Sequence, residues 1–157
     1  MSQGNLSRLL KIIIIIMGMI GLVFYCYIVP MWSRDMAAGE LARWSLPWLV
    51  FISLTAGPIY AGLVLFWKIC TDIQRDRSFT HANAARMKVI SILAVSDVAY
   101  HFTGSVILTA LNMNHPGSML QTLFIDVVGI SVAIAAAVLA HLVTKAAKLK
   151  EDSDLTI

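Results

Sequence analysis

Charged residues are scarce in this sequence. Asp, Glu, Lys and Arg together make up 13% of its 157 residues, whereas 59% of the residues are hydrophobic. A water-soluble domain of this size needs a polar surface, and so few charges do not supply one. The connections between the apolar stretches are also too short to hold a second, soluble domain. The composition therefore indicates a protein that resides in a lipid bilayer.

Cysteine is almost absent, with only Cys26 and Cys70. We expect these two residues near opposite faces of the membrane, far beyond the roughly 7 Å between Cα atoms that a disulfide allows. No disulfide and no cysteine-based metal site is expected.

Catalytic and cofactor motifs are also missing. The sequence has no nucleophile with a base at a recognisable spacing, no phosphate-binding loop and no paired Gly-x-Asp of an intramembrane protease. Bis-histidine ligation of haem requires two His at one depth on facing helices, yet His101 is expected in the outer half of the membrane and His141 near its inner surface. We therefore expect no enzymatic activity, no cofactor and no bound metal.

Four long apolar stretches fill most of the chain. Each is long enough to cross a bilayer. The first also resembles a signal peptide, but it is longer than the about 7 to 15 residues of an h-region and no A-x-A site follows it. We predict an all-α fold, a single domain formed by a four-transmembrane-helix bundle, with spans at about residues 10–30, 46–70, 85–111 and 119–145.

The basic residues are distributed unevenly between the two ends of these spans. Ten of the twelve Lys and Arg residues lie in the N-terminal segment, the second connection and the C-terminal tail, whereas the other side has only Arg34 and Arg43. The positive-inside rule therefore predicts that both termini are cytoplasmic, an N-in/C-in topology. The basic residues are not interleaved with aromatic residues, so we expect no direct binding of nucleic acid.

Two prolines predict irregular helix geometry. Pro30 is expected to end the first span, because proline breaks a continuing helix. Pro58 follows Gly57 near the middle of the second span and removes the hydrogen bond that the Leu54 carbonyl would accept, so we expect a kink there.

Asp97 and Asp126 are the only acidic residues expected inside the bilayer. A carboxylate near the centre of a span costs about 2.5 to 3.5 kcal/mol on insertion scales, so both should face protein rather than lipid. Asp97 and His101 lie one helical turn apart and are able to pair. Asp126 shares a face with a stripe of small residues: Gly129, Ala133, Ala137 and Ala140.

Counted from the helix ends, Tyr60 comes to about the depth of Asp97. The predicted intramembrane polar cluster consists of Asp97, His101, Asp126 and Tyr60. Two interpretations remain open: a proton- or ligand-responsive site, or a set of polar contacts that fixes the helix register.

The second connection has the features of an ordered segment. The second helix is expected to continue to the charged run from Asp72 to Arg77, and a new helix should begin at Thr80, a good N-cap. The predicted partner- or lipid-binding surface comprises Ile73, Arg75, Arg77, Phe79, Arg86 and Lys88. A simpler interpretation is that its basic residues only anchor the connection to lipid headgroups.

The segment from Ile52 to Val89 carries a loose motif: Ile-Ser-Leu-Thr-Ala-Gly-Pro, Phe66-Trp-Lys-Ile69, a charged turn, then Arg77-Ser-Phe-Thr80 and Asn83. In this motif the chain resembles the domain of unknown function 2975 family of four-helix bacterial membrane proteins. The resemblance implies a small multi-pass protein often encoded beside a small helix-turn-helix regulator of the Cro type. It implies no enzymatic activity and no ligand.

Two functions of different class follow from these features. The first is a non-enzymatic sensing or regulatory protein of the bacterial cytoplasmic membrane that binds or sequesters a cytoplasmic helix-turn-helix regulator. The alternative is a small transporter or ion-coupled membrane subunit that uses the Asp/His cluster. Because four spans are few for a transporter, this alternative would require a homo-oligomer, and no inverted repeat is visible.

The topology is directly testable. A reporter that is active only outside the cytoplasm, fused after the last residue, is expected to give no signal, whereas the same reporter inserted near Gly39 should be active. A strong signal from the C-terminal fusion would contradict the predicted orientation.

Overall fold

The computed structural model describes residues 3–113 and 116–154, and this part of the chain is helical without a strand. The all-α prediction is confirmed. The helices are α1 (Gln3–Val23), α2 (Val29–Ala37), α3 (Ser45–Leu54), α4 (Ala56–Gln74), α5 (His81–Ala110) and α6 (Pro116–Asp154), with a π-helical segment at Phe24–Ile28 and a 3₁₀ turn at Ala42–Trp44.

These elements form four spans that are long and apolar enough to cross a membrane. Span 1 is α1, the π-helical segment and α2; span 2 is α3 and α4; spans 3 and 4 are α5 and α6. Helix α6 extends past residue 145, the expected end of the last span, to Asp154. Its final turns are rich in Ala, Lys and Leu, which favour helix even outside a membrane.

The prediction that Pro30 ends the first helix is wrong. The chain remains helical to Ala37, because the preceding turn widens into the π-helical segment. Within this wide turn the Val29 N–H bonds to the carbonyl of Phe24. Pro30 then occupies the first turn of α2, where the lack of an N–H is tolerated.

Span 2 is interrupted at Thr55, between α3 and α4. The Thr55 N–H bonds to the Ile52 carbonyl at 3.2 Å, and its hydroxyl donates to the same oxygen at 2.7 Å. Pro58 lies four residues after Leu54 and has no N–H to offer that carbonyl. The irregularity expected from Pro58 is thus present.

The spans pack mainly in chain order, with span 1 on span 2, span 2 on span 3, and span 3 on span 4. The contact between α5 and α6 is the most extensive. In the most apolar part of each span, between 6% and 22% of the residues are buried inside the protein. Most side chains of the spans therefore lie on the outside of the bundle, and the interfaces between helices are narrow.

Small side chains form the α5–α6 interface. The buried residues of α6 recur at helical spacing and are Asp126, Ala133, Ala136, Ala140, Val143 and Ala147. Gly129 belongs to the same stripe, because a Cβ there would lie 2.4 Å from a methyl group of Val98. The predicted stripe is right except at Ala137, which is exposed, while Ala136 is buried. Close approach of backbones at small residues is typical of membrane helix pairs.

The C-terminal ends of α4 and α5 show a common capping geometry. Asp76 and Asn112 have φ values of 55° and 54°, the left-handed conformation that Asp and Asn tolerate better than most residues. After α4, the Arg77 N–H bonds to the Asp72 carbonyl and the Asp76 N–H to the Ile73 carbonyl, which satisfies the last turn of the helix. The turn expected at residues 112–118 is described only in part, and His115 lies outside the described residues.

Candidate functional site

A buried ionisable pair joins spans 3 and 4 inside the expected membrane region. His101 Nδ1 lies 2.8 Å from Asp126 Oδ1, and the two side chains are 13% and 5% exposed. Asp126 reaches α5 because it lies on the stripe of small residues of α6, where the helices approach closely. The prediction that His101 and Asp126 face the protein interior thus agrees with their burial.

Asp97 lies one turn before His101 on α5 and is half-buried. The sequence suggested a pairing of Asp97 with His101, but the structure pairs His101 with Asp126 across the interface instead. The i, i+4 spacing permits an Asp97–His101 contact without requiring it, and the His101 Nδ1 atom is already bonded to α6. Asp97 still lies close enough for His101 and Asp126 to act on its carboxyl group electrostatically.

Tyr60 forms no hydrogen bond to Asp97, His101 or Asp126 in the described part of the chain, although it lies close enough to Tyr25 to act on it electrostatically. Its hydroxyl donates to the Gly18 carbonyl of span 1 at 2.8 Å. The tyrosine fits there because Gly21 has no side chain, and a Cβ on Gly21 would lie 3.0 Å from the Tyr60 oxygen. Counting residues from the helix ends gave a depth for Tyr60 but not the direction in which its ring points.

A different tyrosine adds a polar contact between spans 1 and 2. Tyr25, in the π-helical segment, lies 2.7 Å from the Thr55 hydroxyl, which is itself buried. The Thr55 hydroxyl donates its only proton to Ile52, so Tyr25 is the donor in this bond. The two irregular points of the backbone, the π-helical segment and the break in span 2, therefore meet through side chains.

Phe51 connects span 2 to the buried pair. Its ring stacks on the imidazole of His101 with centroids 5.9 Å apart and an interplanar angle of 8°. The ring occupies the space above Gly104, where a Cβ would lie 2.0 Å from a ring carbon. Tyr100 donates its hydroxyl proton to the Phe51 carbonyl at 3.1 Å. The sequence contained one signal for this contact, the glycine three residues after His101.

We call Tyr25, Thr55, Asp97, His101 and Asp126 the polar layer. All four spans contribute to it, and Phe51, one turn before Thr55 on span 2, stacks on His101. Asp97 Oδ1 and Asp126 Oδ2 are buried and have no hydrogen-bond partner among the residues that the structure describes. Two carboxyl groups and one imidazole in such an environment are suited to hold or exchange a proton. In residues 3–113 and 116–154 no group of three or more His, Cys, Asp and Glu side chains is arranged to hold a metal ion.

The connection between α4 and α5, residues 75–80, is held by a network at its base. Arg86 forms an ion pair with Asp72 and bonds to the Asn83 side-chain oxygen at 2.7 Å. Asn83 is fully buried, and its amide donates to the carbonyls of Arg77 and Ser78. Thr80 accepts the Asn83 N–H at 3.3 Å, which confirms it as the N-cap of α5.

The residues predicted for this surface divide into two groups. Arg86 belongs to the network, and Ile73 is half-buried against the protein, so neither is a fully accessible contact. Arg75, Phe79 and Lys88 are exposed, with Phe79 at 57%. Arg77 is also exposed and lies 3.7 Å from Asp72. The sequence did not indicate the role of Asn83, since a buried asparagine at the start of a helix has no distinctive pattern.

The chain matches the profile of a family described as a protein of unknown function (DUF2975) over residues 9–157. It is also similar to the uncharacterized membrane protein YoaS of Bacillus subtilis (strain 168), with 28% identity over 152 residues that cover 94% of this chain and 95% of the relative. No solved structure matches the chain. The extent of the profile match shows that this membrane protein belongs to the DUF2975 family.

Proposed function

We propose that this chain is a non-enzymatic regulatory protein of the bacterial cytoplasmic membrane, with both termini in the cytoplasm, that binds a helix-turn-helix regulator at its α4–α5 connection. The observation that carries the proposal is the exposed aromatic ring of Phe79 in the same short connection as the exposed Arg75 and Arg77. Exposed aromatic and arginine side chains are the residue types that contribute most to protein interfaces.

The geometry of the connection supports this proposal. A short link between two membrane helices needs only turn residues, yet this one is fixed by a buried asparagine, an ion pair and an N-cap. A fixed connection presents Phe79 in a constant position, which lowers the entropy that a partner must remove on binding. Ordinary lipid anchoring by basic residues needs no such order.

The polar layer is a place where this membrane protein could sense a signal that changes its binding of the helix-turn-helix regulator. Helix α5 is continuous over 30 residues from the capped connection to Ala110, and it carries Asp97 and His101. A change of charge at His101 would alter the contact of α5 with α6, and the same helix begins at the proposed binding surface. We therefore propose that protonation or a small ligand at the polar layer modulates capture of the regulator.

The proposal is tested by measuring how tightly the chain binds a helix-turn-helix regulator encoded beside its gene. Phe79→Ser is expected to weaken capture by about tenfold or more, because burial of a phenylalanine contributes about 1.5–3 kcal/mol. Arg75→Gln/Arg77→Gln should also weaken capture, and this effect should diminish at high salt. Affinity is measured with the purified full chain in detergent.

Control variants lie away from the connection. Phe124→Ser changes a phenylalanine of span 4 that is 72% exposed, against 57% for Phe79, and Arg34→Gln/Arg43→Gln removes the same charge from α2 and the 3₁₀ turn. Both control variants should capture the regulator as wild type does. The proposal fails if wild type captures nothing, or if the two sets of variants behave alike.

A second candidate function, a proton-coupled transport subunit, is favoured by the unpartnered carboxyl oxygens of Asp97 and Asp126. The titratable groups around Asp97 are Tyr25, Tyr100, His101 and Asp126. They come from spans 1, 3 and 4, so a proton could pass between helices without reaching lipid. Four spans would require a homo-oligomer to form a complete pathway.

Proteoliposomes with an imposed proton gradient test this candidate. Wild type would dissipate the gradient faster than protein-free vesicles, and Asp126→Asn or Asp97→Asn would abolish the difference because an amide does not exchange a proton. Tyr27→Phe is the control, since Tyr27 is 66% exposed and does not belong to the polar layer. A proton flux equal to that of protein-free vesicles would rule out the transport role.

A further inference from the structure

An open groove lies between α5 and α6 at the end of the membrane where α5 begins. Its volume is about 550 Å³, and it exists because the side chains beneath it are alanines, among them Ala84, Ala137 and Ala140. The groove is distinct from the polar layer, which lies nearer the middle of the same two helices. The residues that line the groove are polar at one end and apolar at the other.

One end of the groove is polar. His81, His141 and Thr144 line it there. His81 already has an acidic partner, since its Nε2 lies 3.4 Å from Glu151. Lys88 has no ion pair within the described part of the chain, and it lies about 10 Å further along α5 than His81 at 1.5 Å per residue.

The other end of the groove is apolar. Ile92 and Ala137 line it within the expected hydrocarbon region. The hydroxyl of Ser91, at the same level, already donates to the Ala133 carbonyl at 2.8 Å, so this end offers no free donor. A ligand that fills the groove from Lys88 to Ile92 must therefore combine an anionic group near Lys88 with a hydrocarbon chain.

We propose that this groove is a binding site for an anionic phospholipid, with the phosphate at Lys88 and an acyl chain along Ile92 and Ala137. The charge of Lys88 favours this occupant, since a cation at the membrane boundary without an acidic neighbour is stabilised by a lipid phosphate. A water-soluble phosphate would use Lys88 but would leave the apolar end of the groove unfilled. The site does not depend on regulator binding.

Native mass spectrometry of the purified full chain in detergent tests the site. The chain is mixed with equal amounts of phosphatidylglycerol and phosphatidylcholine that carry the same acyl chains. Wild type is expected to retain phosphatidylglycerol preferentially, and Lys88→Gln should lower its retention by about five-fold, the equivalent of about 1 kcal/mol. Lys68→Gln, which removes an exposed basic residue from span 2 outside the groove, should leave the preference unchanged.

A second variant tests the apolar end. Ala137 is exposed in the groove, so Ala137→Phe should fill the space without changing the buried α5–α6 contact and should reduce retention of both lipids. Excess inorganic phosphate should not displace the bound lipid. The proposal is overturned if Lys88→Gln and Lys68→Gln act alike, if Ala137→Phe retains lipid as wild type does, or if inorganic phosphate competes. It is also overturned if the groove-filling variant abolishes a dimer, because the occupant would then be a second copy of the chain.

Discussion

The contact between His101 and Asp126 is the constraint on which the arrangement of spans 3 and 4 depends. A carboxylate inside a bilayer must be directed toward protein, so α6 is oriented with Asp126 against α5. At 2.8 Å the pair also fixes the rotation and the relative height of both helices. The pair also explains the small residues of the interface. His101 and Asp126 reach hydrogen-bond distance only because Gly129 and the buried alanines let the two backbones approach closely.

Spans 1 and 2 contact each other and the His101–Asp126 pair through side chains that lie at or near irregular turns of the backbone. The π-helical segment presents Tyr25 to Thr55, and the break at Thr55 follows from Pro58. Phe51, in the last turns before that break, stacks on His101. Irregular turns in membrane helices are tolerated where side chains satisfy the freed backbone groups, and they often occur at functional sites. The polar layer therefore combines buried charge with the least regular part of the backbone.

Composition and periodicity were sufficient to predict the number of spans, the burial of Asp126 and the capped start of α5. These features depend on local chemistry: apolar length, the cost of a buried charge, and the hydroxyl of Thr80. The sequence was not sufficient where the rotation of a helix, or a contact between residues far apart in the chain, determines the position of a side chain. Tyr60 has the right depth but faces Gly18, and Pro30 lies in a helix because a wide turn precedes it. Phe51 was not distinguishable from other apolar residues, since its role depends on Gly104 of another span.

The most direct test of this account is a double-mutant cycle between His101 and Asp126, measured as the free energy of unfolding of the full chain in detergent. His101→Ala, Asp126→Ala and the double variant should give a coupling energy of about 0.6 to 1.7 kcal/mol, between the average and the maximum measured for polar contacts in membrane helices. The same cycle between His101 and Asp97 serves as the control, because no direct bond joins them among the described residues, and its coupling should be smaller. A zero coupling for His101 with Asp126, or a larger one for His101 with Asp97, would contradict the account.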